Sequence, residues 1–464
     1  MCPGGGMVDA ADLKSASLKG VGVRVPSWAF HNKASNFIIL ITFLETLNEI
    51  ALKMNIETQK YGWIVISLWL IATMFGFIMI FTIGLFLPSI AKEMNLSPGM
   101  QGILGSSAFL GQAIVAIPMA WWTSRFNPIA VITSTIALGA LFLVLQGWSP
   151  SFAILLIGRF AFGIALVTME PPGAKLIYQW FPVNKILFVN AIQNALFGFL
   201  MAIGVLVTPI LLDIFNDWRL LLYLSGAVYG LIAIVWVLVG RQNKSSLDQQ
   251  KADEKKSTFS TTTPIMKVLS HRSLVLTCIG FAAAAVVFSS FNTFFPTLAG
   301  SKGISLGWSG ILLAINFVTG GILGLIMSRF FGKLSYANLI MIILIIVMIV
   351  SYTLITLTDN RAILIILVIF TGISGAYFPI LYTEAFKLTG VTVNRIPIAI
   401  ATVMAAFGLG LLIGPLITGF IQETTGNLEL AMIISAQFGF LLLPAAIFLK
   451  FTSDHTEVET RVTR

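Results

Sequence analysis

The sequence predicts an all-α integral membrane protein with twelve transmembrane helices, arranged as two pseudo-symmetric six-helix bundles. Apolar residues make up 57% of the chain and charged residues 10%, whereas soluble domains average about 45–50% and about 25%. Such a chain cannot hide its apolar surface in a water-soluble core, so much of that surface must face lipid. Twelve apolar runs are long enough to cross a bilayer, and one segment of the chain occurs twice.

The apolar runs form two groups of six. Each can cross a hydrocarbon core of roughly 30 Å, and each should be helical because lipid offers the backbone no hydrogen-bond partners. The runs are 62–87, 101–122, 128–147, 152–178, 186–212 and 218–240, then 273–298, 307–328, 336–357, 362–386, 393–420 and 428–450.

A repeated segment indicates that one six-helix unit is used twice. Residues 86–104 and 294–312 align without a gap at an offset of 208, and 8 of the 19 positions are identical. The matches include one Pro and two Gly residues. Apolar chains often repeat Leu and Ile by chance, but they do not easily repeat Pro and Gly in register. Duplicated units in such a chain are typical of transporters, whose sites lie between the repeats.

Basic residues predict the orientation. With both termini cytoplasmic, most loop Lys and Arg residues fall on the cytoplasmic side, as the positive-inside rule requires. We expect a multi-pass protein of the cell membrane, with an N-terminal bundle at 54–240, a cytoplasmic linker at 241–272, a C-terminal bundle at 273–450 and a cytoplasmic tail at 451–464. The net charge of +9 is then an orientation signal and not a sign of nucleic-acid binding.

Residues 1–53 are unlike the spans and form an N-terminal extension. Their apolar stretch ends at Glu45, after too few residues to cross a bilayer. One interpretation is an amphipathic helix at the membrane interface. The interpretation that we favour is that the extension is not part of the native protein and that synthesis begins at Met54. Residues 22–26 read as the translated common arm of a transfer-RNA gene.

The signatures of enzymes and cofactor sites are missing from the sequence. The three His residues lie in tails and loops without the spacing of metal ligands, and the two Cys residues are far apart. The chain has no Gly-rich phosphate loop, nucleophile elbow or paired-carboxylate site. We therefore expect no enzymatic activity, no cofactor and no metal.

The fourth span and the start of the sixth carry a recognisable pattern. Arg159 is followed by a Gly four residues later, by Pro171-Pro172 and by Trp-Phe-Pro at 180–182, and Asn-Asp-Trp-Arg at 216–219 opens the sixth span. The pattern resembles the major facilitator superfamily, whose fourth helix has an Arg, a Gly four residues later, a mid-helix Pro and a Trp-Phe-Pro turn. The Trp-Phe-Pro and Pro-Pro strings look most like the branch that carries cyanate or oxalate and formate. The resemblance implies two bundles that rock about a central site.

The same resemblance suggests residues that control switching. In the superfamily, the loop between spans two and three latches neighbouring helices. Here that loop keeps Arg125 but lacks the usual Asp, and Arg329 stands in the matching loop of the second half. Both could equally be plain orientation charges. In span eleven, Gly414 and Pro415 would allow close helix packing and a bend.

Three charged residues lie within span four. A charge at bilayer depth costs at least about 2.5–3.5 kcal/mol on insertion scales, so it indicates a functional site. Arg159 and Glu170 are eleven residues apart, which is close to three helical turns, so they share a face about 16 Å apart. The superfamily places helices one, four, seven and ten around the central site, so this face would line the substrate path.

These charges have functional and structural interpretations. Glu170 would be the proton-coupling group, and Arg159 would attract an anion or instead join two helices. Lys175 would contribute to the site or extend to the cytoplasmic surface. Further polar candidates, which could bind substrate or join helices equally well, are Asn194, Asn292 and Tyr377.

Taken with the resemblance, the sequence predicts a secondary active transporter that moves a small organic or inorganic anion by alternating access. A proton or solute gradient would drive it, and its partners would be the substrate, the coupling ion, with a proton favoured, and the lipid bilayer. We expect a monomer. A sugar or drug carrier of the same fold, or a transporter-like sensor that does not transport, are the alternatives.

Overall fold

Twelve helices in the computed structural model correspond one to one to the predicted spans. The structure describes residues 60–123, 126–181, 183–240, 268–330, 336–384 and 396–449, and at Asn194 and Arg329 it describes the helix but not the side chain. The regular structure of these residues is entirely helical, as predicted. The first half contains α1 (Lys60–Phe81, continuing as Ile83–Met94), α2 (Pro98–Thr123), α3 (Pro128–Trp148), α4 (Phe152–Trp180), α5 (Val183–Phe215) and α6 (Trp218–Val239).

The second half repeats this arrangement. It contains α7 (Arg272–Ser301), α8 (Leu306–Phe330), α9 (Ala337–Leu357), α10 (Arg361–Ser374, continuing as Tyr377–Thr383), α11 (Ile396–Thr425) and α12 (Leu428–Phe448). Eleven of the twelve helices have the length and apolar composition of membrane spans. The remaining one, α2, has 26 residues and no charged side chain, which is long enough to cross a bilayer.

Two interruptions in the helices were not predicted. Apolar run 62–87 is broken at Thr82, whose hydroxyl donates to the Ile78 carbonyl at 2.7 Å. Run 362–386 is broken at Gly375, whose N–H donates to carbonyls three and four residues back. A continuous apolar composition indicates only that a segment lies in lipid or in the protein core, so it cannot reveal where the helix within it is interrupted.

The helix ends show the duplication again. Asn95 and Gly303, which are separated by the same offset of 208, both have left-handed backbone angles (φ 52° and 72°) and end the first helix of their half. Asn216 and Gly426 do the same after the fifth helix of each half, with φ of 51° and 67°. Left-handed residues of this kind, usually Gly or Asn, terminate helices. The repeat therefore extends to the conformation of individual turns.

The two halves meet through glycine residues that the sequence repeat had matched. Gly102 on α2 packs against the backbone of α11 at Pro415 and Gly419, and a β-carbon at Gly310 on α8 would lie 2.5 Å from the Val205 carbonyl oxygen on α5. The two backbones are so close at these glycines that a side chain would collide with the facing helix, as in other small-residue helix contacts in membranes. These contacts lie toward the face that carries the loops after α1, α3, α5, α7, α9 and α11, which we call the odd-loop face.

A charge cluster at the odd-loop face joins three helices of the first half. Arg219, at the start of α6, pairs with Glu93 at the end of α1 (2.9 Å) and donates to the carbonyls of Gly147 and Ser149 at the end of α3 (3.0 and 2.6 Å). Trp218 also donates to Glu93. A cation is favoured here because the carbonyls at a helix C-terminus carry partial negative charge.

The second half has the same cluster with the charges exchanged. Lys302, at the end of α7, donates to the Thr356 carbonyl at the end of α9 (2.7 Å) and pairs with Glu429 at the start of α12 (3.2 Å) and with Asp359 (3.0 Å). The cation thus stands on the first helix of this half instead of the sixth. Each half therefore holds its first, third and sixth helices together at the odd-loop face.

The predicted domain boundaries stay predictions. The extension at 1–53, nearly all of the linker at 241–272 and the tail at 451–464 lie outside the described residues.

We predict that Gly310→Ala destabilises the protein, because its methyl group would collide with the backbone of α5. Overpacking of this kind costs about 1–3 kcal/mol. The matched control is Gly307→Ala on the same helix, where a β-carbon has no neighbour within 4 Å among the described residues. Thermal unfolding of the purified variants should show a lower Tm for Gly310→Ala alone. Equal Tm values for the two variants would contradict the contact.

Candidate substrate and coupling site

Arg159 on α4 is buried and bonded to the backbone of two other helices. Its Nε donates to the Leu104 carbonyl on α2 (3.1 Å), and its terminal nitrogens donate to the carbonyls of Ile80 (2.7 Å) and Met79 (3.4 Å) on α1. The two α1 carbonyls lie just before the break at Thr82, between the two helical segments of α1. Because lipid offers carbonyls no hydrogen-bond partners, Arg159 stabilises the broken helix.

Glu170 lies near the middle of α4 in different surroundings. The residue is partly exposed, but its Oε1 atom is buried and has no hydrogen-bond partner among the described residues. Two more such atoms lie on the buried face of α1: the indole Nε1 of Trp69 and the hydroxyl of Thr73. A buried polar atom without a partner is costly. Three of them on two facing helices therefore indicate a site with a function other than packing.

Two tyrosines complete the surroundings of Glu170. Tyr229 on α6 is fully buried and stacks on Phe75 of α1 at 5.5 Å. The second tyrosine, Tyr382 on α10, belongs to the second half of the chain. Both lie close enough to interact electrostatically with Glu170. The carboxyl group is thus in reach of both halves, as a group involved in alternating access should be.

Lys175 and Tyr178 continue the partly exposed face of α4 beyond Glu170. Tyr178 is 56% exposed, and it interacts electrostatically with Tyr382 on α10. Lys175 lies one turn from Tyr178 and is partly exposed. Tyr178 thus brings this face of α4 close to α10.

A layer of phenylalanine rings separates this region from the glycine contacts. Phe81 of the first half and Phe288 of the second pack with ring centroids 5.5 Å apart. The layer therefore closes the interface between the halves near its centre. The other rings in it are Phe77, Phe109, Phe197 and Phe317.

The remaining predicted site residues are dispersed. Asn292 is buried on α7, where its Nδ2 donates to the Phe288 carbonyl (2.8 Å) and its Oδ1 has no partner among the described residues. Tyr377 is buried on α10 in the neighbourhood of Tyr352. Asn194 lies on α5. The structure does not bring these three residues together with Glu170 in one cluster of described contacts.

The predicted gating residues lie at helix crossings or at the opposite face. Gly414 packs on the α7 backbone at Val286, and Pro415 lies against Gly102 and Gly105 of α2. Arg329 belongs to the last turn of α8. Arg125 lies outside the described residues. In the described part of the chain there is no group of three His, Cys, Asp or Glu residues that could hold a metal ion.

The sequence matches the model of the Major Facilitator Superfamily over residues 69–394. The chain belongs to this superfamily. The match spans both halves of the helix array, so the predicted superfamily, fold class and transporter function are confirmed. A superfamily of transporters also agrees with the prediction that the chain is not an enzyme.

The chain is also similar to transporters that are named for organic acids. The chain is 24% identical over 330 residues to a probable galactarate/D-glucarate transporter of Escherichia coli K12, covering 64% of this chain and 72% of the relative. It is 22% identical to a hexuronate transporter of Bacillus subtilis, covering 54% and 59%. It is 27% identical to a probable sulfoacetate transporter of Cupriavidus necator, covering 33% and 34%.

Solved structures share the fold of this superfamily member. A bacterial homologue of the human lysosomal transporter Spinster, inward-facing and unoccupied, superposes with a TM-score of 0.67 at 18% identity, covering 85% of this chain and 99% of the other. A nucleoside transporter gives 0.65 at 14% identity, covering 82% and 99%. At these identities the likeness establishes the fold alone.

Sequence reasoning missed Tyr229 and Tyr382 as neighbours of Glu170 in this superfamily member, and it missed the partnerless polar atoms of Trp69 and Thr73 on the facing helix α1. The missed signal was a helix-to-helix register: Trp69 and Thr73 are one turn apart on α1, and that face meets α4. Nothing in the composition of α1 shows which of its faces is buried.

We predict that Arg159→Lys lowers stability although it keeps the charge. A Lys ammonium cannot reach three carbonyls on two helices in the way that the planar guanidinium does, and each lost bond to a charged group costs roughly 1.5–3 kcal/mol. Thermal unfolding should show a clearly lower Tm. A matched control is Arg272→Lys at the start of α7, whose guanidinium stacks on Phe448 and should lose little. An unchanged Tm for Arg159→Lys would show that the three bonds contribute no net stability.

Proposed function

We propose that this chain is a proton-coupled transporter of a small organic anion, with Glu170 as the coupling group. The observation that carries the proposal is the partnerless, buried oxygen of Glu170 in the region where α4 faces α10. A carboxyl group within the membrane costs free energy, so its presence indicates a function. The simplest function for a carboxyl group without a partner is to bind and release a proton. The names of the relatives supply the substrate class.

The substrate class rests on chemistry that three relatives have in common. Galactarate, D-glucarate, hexuronates and sulfoacetate are all organic acids, and they differ in size and in the number of hydroxyl groups. An anion entering the membrane needs a cation or donors to offset its desolvation. We assign this role to Lys175, because it is a cation on the partly exposed face of α4.

The coupling step follows from charge balance. With Glu170 protonated, a monovalent anion such as a hexuronate and Lys175 form a neutral pair, and the loaded transporter carries no uncompensated charge at the centre of the membrane. A divalent anion such as D-glucarate or sulfoacetate needs a second proton, which it takes up on its own carboxylate group. With Glu170 ionised and the site empty, Lys175 and the carboxylate balance each other. The transporter can switch its site from one side of the membrane to the other in either neutral state. When the anion is bound and Glu170 is ionised, one excess negative charge remains in the site and switching is unfavourable. Substrate and proton therefore move together.

The switching residues and the orientation complete the proposal. The odd-loop face is external, both termini are cytoplasmic and the protein works as a monomer in the inner membrane, in agreement with the basic residues of the even-numbered loops. Gly414 and Pro415 are a pivot where α11 crosses α7 and α2. Arg125 and Arg329 latch the cytoplasmic ends of α2 and α8.

Uptake by proteoliposomes tests the coupling. Vesicles with an alkaline interior should accumulate one of D-glucarate, galactarate, glucuronate or sulfoacetate. Glu170→Gln should abolish accumulation driven by the pH gradient but keep exchange of internal for external anion, because the amide resembles a permanently protonated carboxyl. The control Asp213→Asn changes an exposed carboxylate at the end of α5 and should behave as wild type. Full gradient-driven accumulation by Glu170→Gln would contradict the role of Glu170.

Lys175 gives a separate prediction about the anion. Lys175→Gln should raise the half-saturating anion concentration by about tenfold or more, because a charge-assisted contact contributes roughly 1.5–3 kcal/mol. Lys175→Arg keeps the charge and should lose much less. Concentration-dependent exchange on the same vesicles measures both. An equal effect of the two substitutions would exclude charge as the contribution of Lys175, and transport of neutral sugars alone would favour the sugar-carrier alternative.

A further inference from the structure

Three partnerless polar atoms lie on the two facing helices of the first half. The indole Nε1 of Trp69 and the hydroxyl of Thr73 are on α1, and Oε1 of Glu170 is on α4. Trp69 is 1% exposed and Thr73 is 0% exposed. Two of these groups are hydrogen-bond donors, and the third is a carboxyl oxygen that accepts hydrogen bonds when ionised. Donors and acceptor are therefore chemically complementary.

The register of α1 on α4 brings the three groups to the same level. A β-carbon at Gly62 would touch Trp180, the Trp69 indole lies on Gly173, and a β-carbon at Gly76 would touch Leu166. The helices run in opposite directions, and each step along α1 is matched by an equal step back along α4. Thr73 therefore comes opposite residues 169–170, with Trp69 one turn away.

The second half shows that residues at these two positions touch. At the offset of 208, Thr73 corresponds to Phe281, and Glu170-Pro171 corresponds to Phe378-Pro379. The rings of Phe281 and Phe378 are in edge-to-face contact with centroids 5.1 Å apart. The equivalent place in the first half holds a hydroxyl and a carboxyl group. An apolar, fully satisfied contact in one half thus has a polar, partnerless counterpart in the other.

Within the described part of the chain, Glu170 forms no ion pair with a Lys or Arg side chain. Helices α2 and α3 contain no ionisable residue, α1 has them only near its ends, α6 contributes Tyr229 and α10 contributes Tyr382. On α4 itself, Arg159 is bonded to backbone carbonyls and Lys175 lies more than a turn away. Lys175 can balance the charge of an ionised Glu170 from that distance, and the neutral donors on α1 are available to hydrogen-bond the carboxylate directly.

The space around Thr73 and Trp69 suits a proton better than a solute. Both side chains are buried, and the indole fits so closely on α4 that Gly173 has no room for a β-carbon. A substrate of several heavy atoms would need a larger cavity here, whereas the Glu170 carboxyl group can reach these donors by a change of side-chain rotamer.

We propose that Thr73 and Trp69 are the positioning residues of the proton-coupling site and donate hydrogen bonds to Glu170 when it is ionised. Protonated Glu170 is released from both, and in the structure neither the Thr73 hydroxyl nor the Trp69 indole N–H bonds to Glu170. On deprotonation the proton passes to water on the side of the membrane to which the site is open. The carboxylate then turns and accepts hydrogen bonds from the Thr73 hydroxyl and the Trp69 indole N–H. This inference rests on the proposed coupling role of Glu170.

Infrared titration of the full chain in lipid nanodiscs tests the inference without any substrate. The protonated carboxyl of Glu170 should give a C=O band that disappears as pH rises and that is missing in Glu170→Gln. Thr73→Val removes the hydroxyl at nearly constant shape, and Trp69→Phe removes the N–H but keeps a ring on Gly173. Each should move the midpoint of the band upward by about one pH unit, because one hydrogen bond to the carboxylate is lost. Thr73→Ser should restore the wild-type midpoint.

The outcomes separate this inference from the proposed function. A band that is missing in Glu170→Gln but keeps its midpoint in Thr73→Val and Trp69→Phe would overturn the inference and leave the coupling role of Glu170 intact. A shift in only one variant would overturn the assignment of the other residue. A band that persists in Glu170→Gln would overturn the coupling role itself. The C=O band of Glu170 should also stay the same when choline chloride is replaced by NaCl at constant pH. Its loss would show that sodium binds at Glu170 and would overturn the assignment of the proton as the coupling ion.

Discussion

In lipid, every buried polar group needs a partner inside the protein, and this constraint governs both the scaffold and the site. Arg159 meets it by donating to backbone carbonyls next to the break in α1. Just beyond this break α1 passes α7 at Gly84, which lies on the α7 backbone at Asn292. Where the constraint is not met, as at Glu170, Thr73 and Trp69, the structure has retained a cost in free energy. Such retained costs are expected at functional sites.

The two halves are alike in scaffold and different in chemistry. The left-handed turns and the charge clusters at the odd-loop face follow the duplication within each half, and the glycine contacts follow it where the two halves meet. The pair Phe281 and Phe378 in the second half and the pair Thr73 and Glu170 in the first occupy equivalent places. The shared frame thus suits the rocking motion of a transporter with two similar halves, whereas the proposed coupling site lies only in the half that has polar groups in place of the aromatic pair.

Sequence could predict those features that depend on the solvent of the chain. The number of spans, their limits to within a few residues and the duplicated unit followed from apolar runs and from repeated Pro and Gly. The breaks at Thr82 and Gly375 could not be predicted, because they depend on bonds that the side chains make in the folded protein. At the site, Glu170 was predicted because a charge in a span is conspicuous. Thr73 and Trp69 were missed because an uncharged residue becomes conspicuous only when its partners are known.

The central claim is that an anion and a proton cross the membrane together through Glu170. The most direct measurement is proton movement driven by an anion gradient alone, in proteoliposomes that contain a pH-sensitive dye and start without a pH difference. Addition of the transported organic anion outside should acidify the interior of wild-type vesicles and leave Glu170→Gln vesicles unchanged. Anion entry without acidification in the wild type, or equal acidification in Glu170→Gln, would contradict the account.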